Sequence, residues 1–419
     1  MKDIAEKSLF DIPGGWKTLL WILVLLGIGM FIAGLMTGGE ESVVRTWQAF
    51  LINTVFWGGI AHAGVIFAVI WQITDAKWGR AFKRLAEACA GFLPISFLMF
   101  MVVFFGSHVL YEWTHTPFLH HGEAVKQGWL NLPFFISRNV FWLLLIYGIS
   151  YWFIKTSIKP DIALARRLIG SDWGGKFADW VLEDYGEHET EVIRLEKLSR
   201  KIAPVLAFVY SIGGSFLAWD FVMTLDQTWF STLFGVFVMI GNMHAFLGLM
   251  LVVAVTVRKK FGIEEYISIN RLHDLAKMTF AFSLLWTYMG YSQYIVIWYA
   301  DLPEETPYLI IRSMNAPWNT LFLVIILWVF VSVFIGLLPR TLCRIPNYIR
   351  LMGIWVMLGQ LLSVYIMVVP SLQHDGHYHI FMGLHELLIT LGFVGAFFLC
   401  YLAFLGKLPI LPISDKHLC

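Results

Sequence analysis

Long apolar runs separated by short polar stretches set the character of this 419-residue chain. A helix needs about 20 mostly apolar residues to cross a bilayer. Ten runs reach that length, near 17–36, 46–73, 82–105, 133–155, 202–223, 229–257, 274–299, 316–338, 347–369 and 381–405. They predict an all-α integral membrane protein, a single membrane domain over 1–419. An even number of crossings returns both chain ends to one side. The first run is too long for a signal-peptide core and no A-x-A site follows it, so it is expected to be a retained helix.

Composition agrees. Hydrophobic residues make up 58% and charged residues 14%, against about 25% charged in soluble domains. Of the 30 Lys and Arg residues, all but Arg45, Lys126, Arg138 and Arg312 fall on the side of the termini. The positive-inside rule therefore makes both termini cytoplasmic; in a bacterial cell the other side is the periplasm. A net charge of +1 offers no field for steering a nucleic acid, and no such partner is expected. Cys89, Cys343, Cys400 and Cys419 form no C-x-x-C, so no cluster, c-type haem or disulfide framework is visible.

The connecting segments differ in character. Residues 156–201 read as a long cytoplasmic loop, with Ile162–Ile169 able to lie along the interface as a short amphipathic helix. Residues 106–131 and 370–380 read as periplasmic loops that carry His108, His115, His120, His121, His374, His377 and His379. The run 374–379 has donors for zinc or copper; the competing reading, docking on a partner, leaves the chain without a metal site. The loop Asp301–Pro307 is acidic and holds two prolines, which predicts a rigid turn. Its Asp301, Glu304 and Glu305 are candidates for docking a partner chain.

Polar positions recur at a spacing of four spans. Gly59-Ile-Ala-His62 in span two matches Gly241-Asn-Met-His244 in span six. Glu87 and Ser96 of span three match Asp274 and Ser283 of span seven, and Asn139 of span four matches Asn319 of span eight. An even spacing keeps both copies in the same orientation. This predicts two parallel four-helix bundles, 44–223 and 228–369, with spans one and ten flanking them.

Ionisable residues at membrane depth are costly and mark proton or ligand sites by default. The proton-relay candidates are His62, Glu87, Arg138, Asp220, His244, Asp274, Tyr291, Tyr294, His385 and Glu386. Haem ligation, proton relay and plain helix–helix hydrogen bonding are three readings of His62 and His244. Glu87 and Asp274 sit at helix ends, where a solvated carboxylate costs little. Arg138 and Asp220 share a depth that would let them pair. On span seven, Thr287, Tyr291, Tyr294 and Trp298 fall on one helical face. With Asp220, His244 and Gln293, the residues Tyr291, Tyr294 and Trp298 are the candidates for a quinone site.

The segment Tyr291-Ser-Gln-Tyr-Ile-Val-Ile-Trp-Tyr-Ala-Asp-Leu-Pro-Glu-Glu-Thr306 resembles the ActF membrane subunits of alternative complex III. The likeness extends to length, ten spans and the His-Ala pair of span six. It implies a fold similar to the polysulfide-reductase (NrfD-like) membrane subunits, in a bacterial inner membrane. It implies a respiratory quinol:cytochrome c (or other acceptor) oxidoreductase complex rather than an enzyme alone. Its expected partners are a multihaem cytochrome c subunit, an iron–sulfur subunit and a paralogous quinol-binding membrane subunit. Haems and clusters would then sit in the partners and none in this chain, which would contribute to quinone binding, proton translocation or both. A secondary transporter and a purely structural anchor are the competing readings.

Overall fold

The computed structural model describes residues 2–37, 39–115, 127–373 and 379–415. His120, His121, His374, His377 and Lys126 lie outside these residues. All regular structure among the described residues is helical. We label ten long elements: α1 Gly14–Met36, α2 Glu40–Thr74, α3 Lys77–Phe105, α4 Leu132–Ile169, α5 His188–Phe221, α6 Phe234–Phe261, α7 Ile269–Ala300, α8 Trp318–Leu337, α9 Pro346–Val368 and α10 Leu384–Leu405.

Nine of these are long and apolar enough to cross a membrane, among the described residues. The exception is α7, which is 32 residues long but carries Thr287, Tyr288, Tyr291, Ser292, Gln293 and Tyr294 within two turns. Those polar side chains, not its length, keep it out of the set.

The hub is α2, whose residues from Thr46 to Val69 are all buried. It touches α3, α5, α6, α9 and α10. Around it α4 pairs with α5, α6 pairs with α7 and α9, and α1 lies against α10. Helices in lipid gain nothing from burying apolar surface against each other, so close contact between small residues matters more. A side chain built on Gly27 of α1 would come within 2.5 Å of the Gly392 Cα of α10. Gly353 of α9 similarly faces the Gly248 carbonyl of α6, again at 2.5 Å.

Two helices are irregular. In α3 a 3-10 stretch, Ala88–Phe92, interrupts the α-helix just before Pro94. In α8 a π-helical stretch covers Ile326–Ser332.

Both chain ends lie at one end of the structure. Trp173 donates to the Ala5 carbonyl (3.2 Å), and the Ile410 amide donates to Ser8 Oγ (3.2 Å). We call this the terminal end, and the other the far end. The separate amphipathic helix expected at Ile162–Ile169 does not exist. Those residues continue α4 without a break, with Pro160 inside the helix and Ile162, Ala163 and Ala165 buried. The segment 156–201 is therefore mostly helix, because α4 and α5 both run on past their apolar stretches.

Candidate functional site

Four helices, α2 to α5, enclose a column of polar side chains. At the terminal end Arg84 of α3 reaches across to α4. Its Nε lies 2.7 Å from Asp161 Oδ2, and its Nη2 donates to the Ser157 carbonyl at 2.8 Å. Nη1 of the same guanidinium is bonded to Glu87, one helical turn on, and Ser157 Oγ donates to the other Glu87 oxygen at 2.6 Å. Arg84, Glu87 and Asp161 are fully buried. Lys83 beside them, donating to Gln72 at 3.1 Å, balances the two carboxylates against two cations. Burying such charges costs several kcal/mol per ion unless every lone pair is met. Here Asp161 is met again by the Ser414 amide, at 2.8 Å, and by the Ser414 hydroxyl. A cavity of about 200 Å³ opens beside this cluster, between Arg80, Lys83, Ser157, Glu196, Ser199 and Asp415.

Midway along the column sits His62 of α2. Its ring lies edge-on to Tyr147 of α4 (5.1 Å between centroids) and Tyr210 of α5 (5.9 Å). Tyr147 shares a hydrogen bond of 2.9 Å with Ser96 of α3. The His62 Nε2 is buried without a hydrogen-bond partner. It borders a cavity of about 30 Å³ that also touches Tyr210, Gly59 and Asn242, large enough for one or two waters.

At the far end Arg138 of α4 grips Asp220 of α5 through two contacts of 2.8 and 2.7 Å. Asn139 adds a third hydrogen bond to Asp220 at 2.9 Å. The guanidinium lies over Trp129, 4.0 Å from the ring centroid. Along α4 the column runs from Arg138 through Tyr147 and Ser157 to Asp161, about 35 Å at 1.5 Å per residue, roughly the thickness of a bilayer core.

A second polar group lies at the far end between α2 and α10. Arg45 is bonded to Glu386 at 2.6 and 2.8 Å, and His385 Nε2 lies 2.9 Å from Thr46 Oγ1. Arg312, outside the long helices, is also buried there. It donates to the carbonyls of Ile366, Met367 and Tyr308 and to Ser371 Oγ, with its guanidinium 3.5 Å from the Tyr308 ring centroid. Burial pushes the Arg312 pKa down, with Tyr308 and the Asp226 carboxylate pulling it up.

The candidate residues read from the sequence are thus only partly gathered. Arg138 and Asp220 meet, and His385 and Glu386 share the contact with α2. Glu87 is not a solvated helix end: it is fully buried, because Arg84 and Ser157 hold it. Asp274, its counterpart in the repeat, is a surface residue paired with Lys277 at 2.6 Å. His244 of α6 is buried, and its Nδ1 accepts from Gln360 of α9 at 2.8 Å, while Nε2 has no hydrogen-bond partner.

The quinone candidates do not converge. The buried face of α7 carries Thr279, Ser283, Trp286 and Gln293, with Gln293 accepting from Ser231 at 3.1 Å. Tyr291 and Trp298 are exposed and Tyr294 is half-buried, so the predicted stripe turns outward. Asp301 and Glu304 are exposed and Glu305 half-buried, and a helix resumes at Thr306. Among the described residues no group of three His, Cys, Asp or Glu side chains is placed to hold a metal ion.

Sequence reasoning missed Arg84, Ser157, Asp161, Tyr147, Tyr210 and Gln360. The Arg84/Glu87 spacing of one turn was an available signal. Asp161 was hidden by its place in a segment that reads as loop. The chain matches no family model and no curated protein sequence.

Proposed function

We propose that this chain is a multi-pass membrane subunit of a quinol-oxidising respiratory complex, and that α2 to α5 form a route for protons within it. The observation that carries the proton reading is the column itself. Carboxylates held by arginines stand at both ends, Asp161 and Glu87 at one and Asp220 at the other. Between them stand an imidazole nitrogen without a partner and two tyrosines. Carboxyl, imidazole and hydroxyl groups are the side chains that hand a proton on, with water completing the gaps.

The complex and its quinol chemistry rest on the resemblance of Tyr291–Thr306 to the ActF-type subunits. In this reading the chain crosses a bacterial inner membrane ten times, with the terminal end in the cytoplasm. Its α2–α5 and α6–α9 are the two four-helix bundles, flanked by α1 and α10. The helix contacts support that grouping, since α4 pairs with α5, α9 with α6, and the two sets meet through α2, α5 and α6. Electron carriers sit in partner subunits, and the loop Asp301–Pro307 docks one of them.

A transporter reading is less well supported. Parallel-repeat transporters break their helices at matching positions, whereas the irregular α3 has a continuous α7 as its counterpart. Affinity purification of the tagged chain from its native membrane tests the assembly. Co-purifying haem and quinol-dependent cytochrome reduction support the reading; recovery of the chain without a redox partner contradicts it.

A further inference from the structure

A short helix at the terminal end, Gly175–Val181, joins two lysines from different helices into one surface. Lys155 of α4 sets its Nζ over Trp180, 4.2 Å from the ring centroid. Trp180 meets Phe177 (6.1 Å between centroids), and Phe177 meets Phe404 of α10 (6.0 Å). Lys407, just past α10, sets its Nζ over Phe177 at 5.5 Å. A ring face attracts a cation but leaves its charge uncancelled.

Carboxylates do not cancel it either. Among the described residues, Lys155 and Lys407 have no ion pair, and neither have Lys159 and Lys176. Lys176 lies one turn before Trp180 on the same helix face. Asp179, the acidic residue of the short helix, is taken by Arg166 at 2.6 Å. The cluster keeps an excess of positive charge.

The outer face of α4 leads up to it. Phe141, Leu144, Gly148 and Trp152 follow i, i+3, i+7, i+11 on one side of the helix, and Lys155 and Lys159 continue that side. Phe141, Leu144 and Trp152 are more than half exposed, and a side chain built on Gly148 would meet nothing within 4 Å. From Phe141 to Trp152 the face runs about 16 Å at 1.5 Å per residue, half of a ~30 Å hydrocarbon core. That is the depth of one leaflet. The face offers neither hydroxyl nor amide side chains to bind a neighbouring helix.

We propose that this surface holds an anionic phospholipid of the cytoplasmic leaflet, its phosphate met by Lys155 and Lys407 and an acyl chain lying along Phe141–Trp152. The stems of both lysines lie on aromatic rings and carry their charges to headgroup level, where clustered basic residues bind acidic lipids. The proposal rests on the chain crossing a membrane with its terminal end in the cytoplasm, and not on quinol chemistry.

The test is native mass spectrometry of the full-length chain, purified with the subunits it retains and titrated with phosphatidylglycerol or phosphatidylcholine. Phosphatidylglycerol should bind more tightly. Lys155→Gln with Lys407→Gln should weaken its binding roughly 25-fold, about a factor of five per lysine. Lys197→Gln with Lys201→Gln, which removes the same charge from exposed positions of α5, should leave it unchanged. A photoreactive residue in place of Leu144 should form lipid adducts in the native membrane. Equal affinity for the two lipids, no loss in the first lysine pair, or an equal loss in both pairs overturns the proposal. A protein adduct at Leu144 overturns it as well, since a partner chain then covers the face. None of these readouts needs a redox partner, so they are separate from the test of the proposed complex.

Discussion

Arg138 and Asp220 meet across α4 and α5 as a bidentate pair, 2.7 and 2.8 Å, with both side chains buried. Their separation of 82 positions in the chain makes the pair a tertiary clamp between two helices of the column.

That clamp predicts strong coupling. Asp220→Ala leaves a buried guanidinium without its partner and should destabilise the protein by about 3–5 kcal/mol. Adding Arg138→Ala should recover part of the loss, because the second change removes the orphaned charge. Thermal unfolding in detergent, followed by tryptophan fluorescence, measures the cycle. Losses that simply add would show that the pair is not coupled.

Nine long apolar helices were legible among the described residues, because length and apolarity are properties of consecutive residues. Long-range pairs impose nothing local. Arg45 and Glu386 are 341 positions apart, and nothing in either segment names the other. Glu87 looked solvated for the same reason: its burial depends on Asp161 and Ser157, which lie in a segment whose charges suggested a loop. The α7 stripe shows a different failure. Its periodicity was correct, but a polar stripe can face either a core or a partner, and here Trp286 and Gln293 take the inner face.

The tail at the terminal end should act as a cover for Asp161. Ser414 meets Asp161, and Asp415 is bonded to Arg80. Removing residues 412–419 should therefore raise backbone hydrogen exchange around Ser157–Asp161 severalfold while leaving α6–α9 unchanged. Equal exchange in the truncated and full-length proteins would exclude a covering role.

The contact of α1 with α10 should not tolerate bulk. Gly27→Val places methyl groups against the Gly392 backbone and should cost about 1–3 kcal/mol by overpacking. Leu25→Val, on the exposed side of α1, should be nearly neutral. Unfolding midpoints of the two variants, compared in one detergent, decide between a packed contact and a loose one.

The two histidines should differ. His244 is held by Gln360, whereas His62 borders the small cavity beside Tyr210. His62→Gln should slow proton transfer about tenfold with assembly intact, and His244→Gln should change it little. Equal effects from both would move the route away from α2–α5.

The most direct test follows protons in the intact complex, reconstituted in liposomes with a pH-sensitive dye inside. Quinol is added, and proton movement and acceptor reduction are recorded together. With a proton route through α2–α5, Glu87→Gln and Asp161→Asn should assemble normally but lower the protons moved per electron, while Asp274→Asn, at its surface ion pair with Lys277, should keep the wild-type ratio. A wild-type ratio in both column variants, with assembly and turnover preserved, would contradict a proton route through α2–α5.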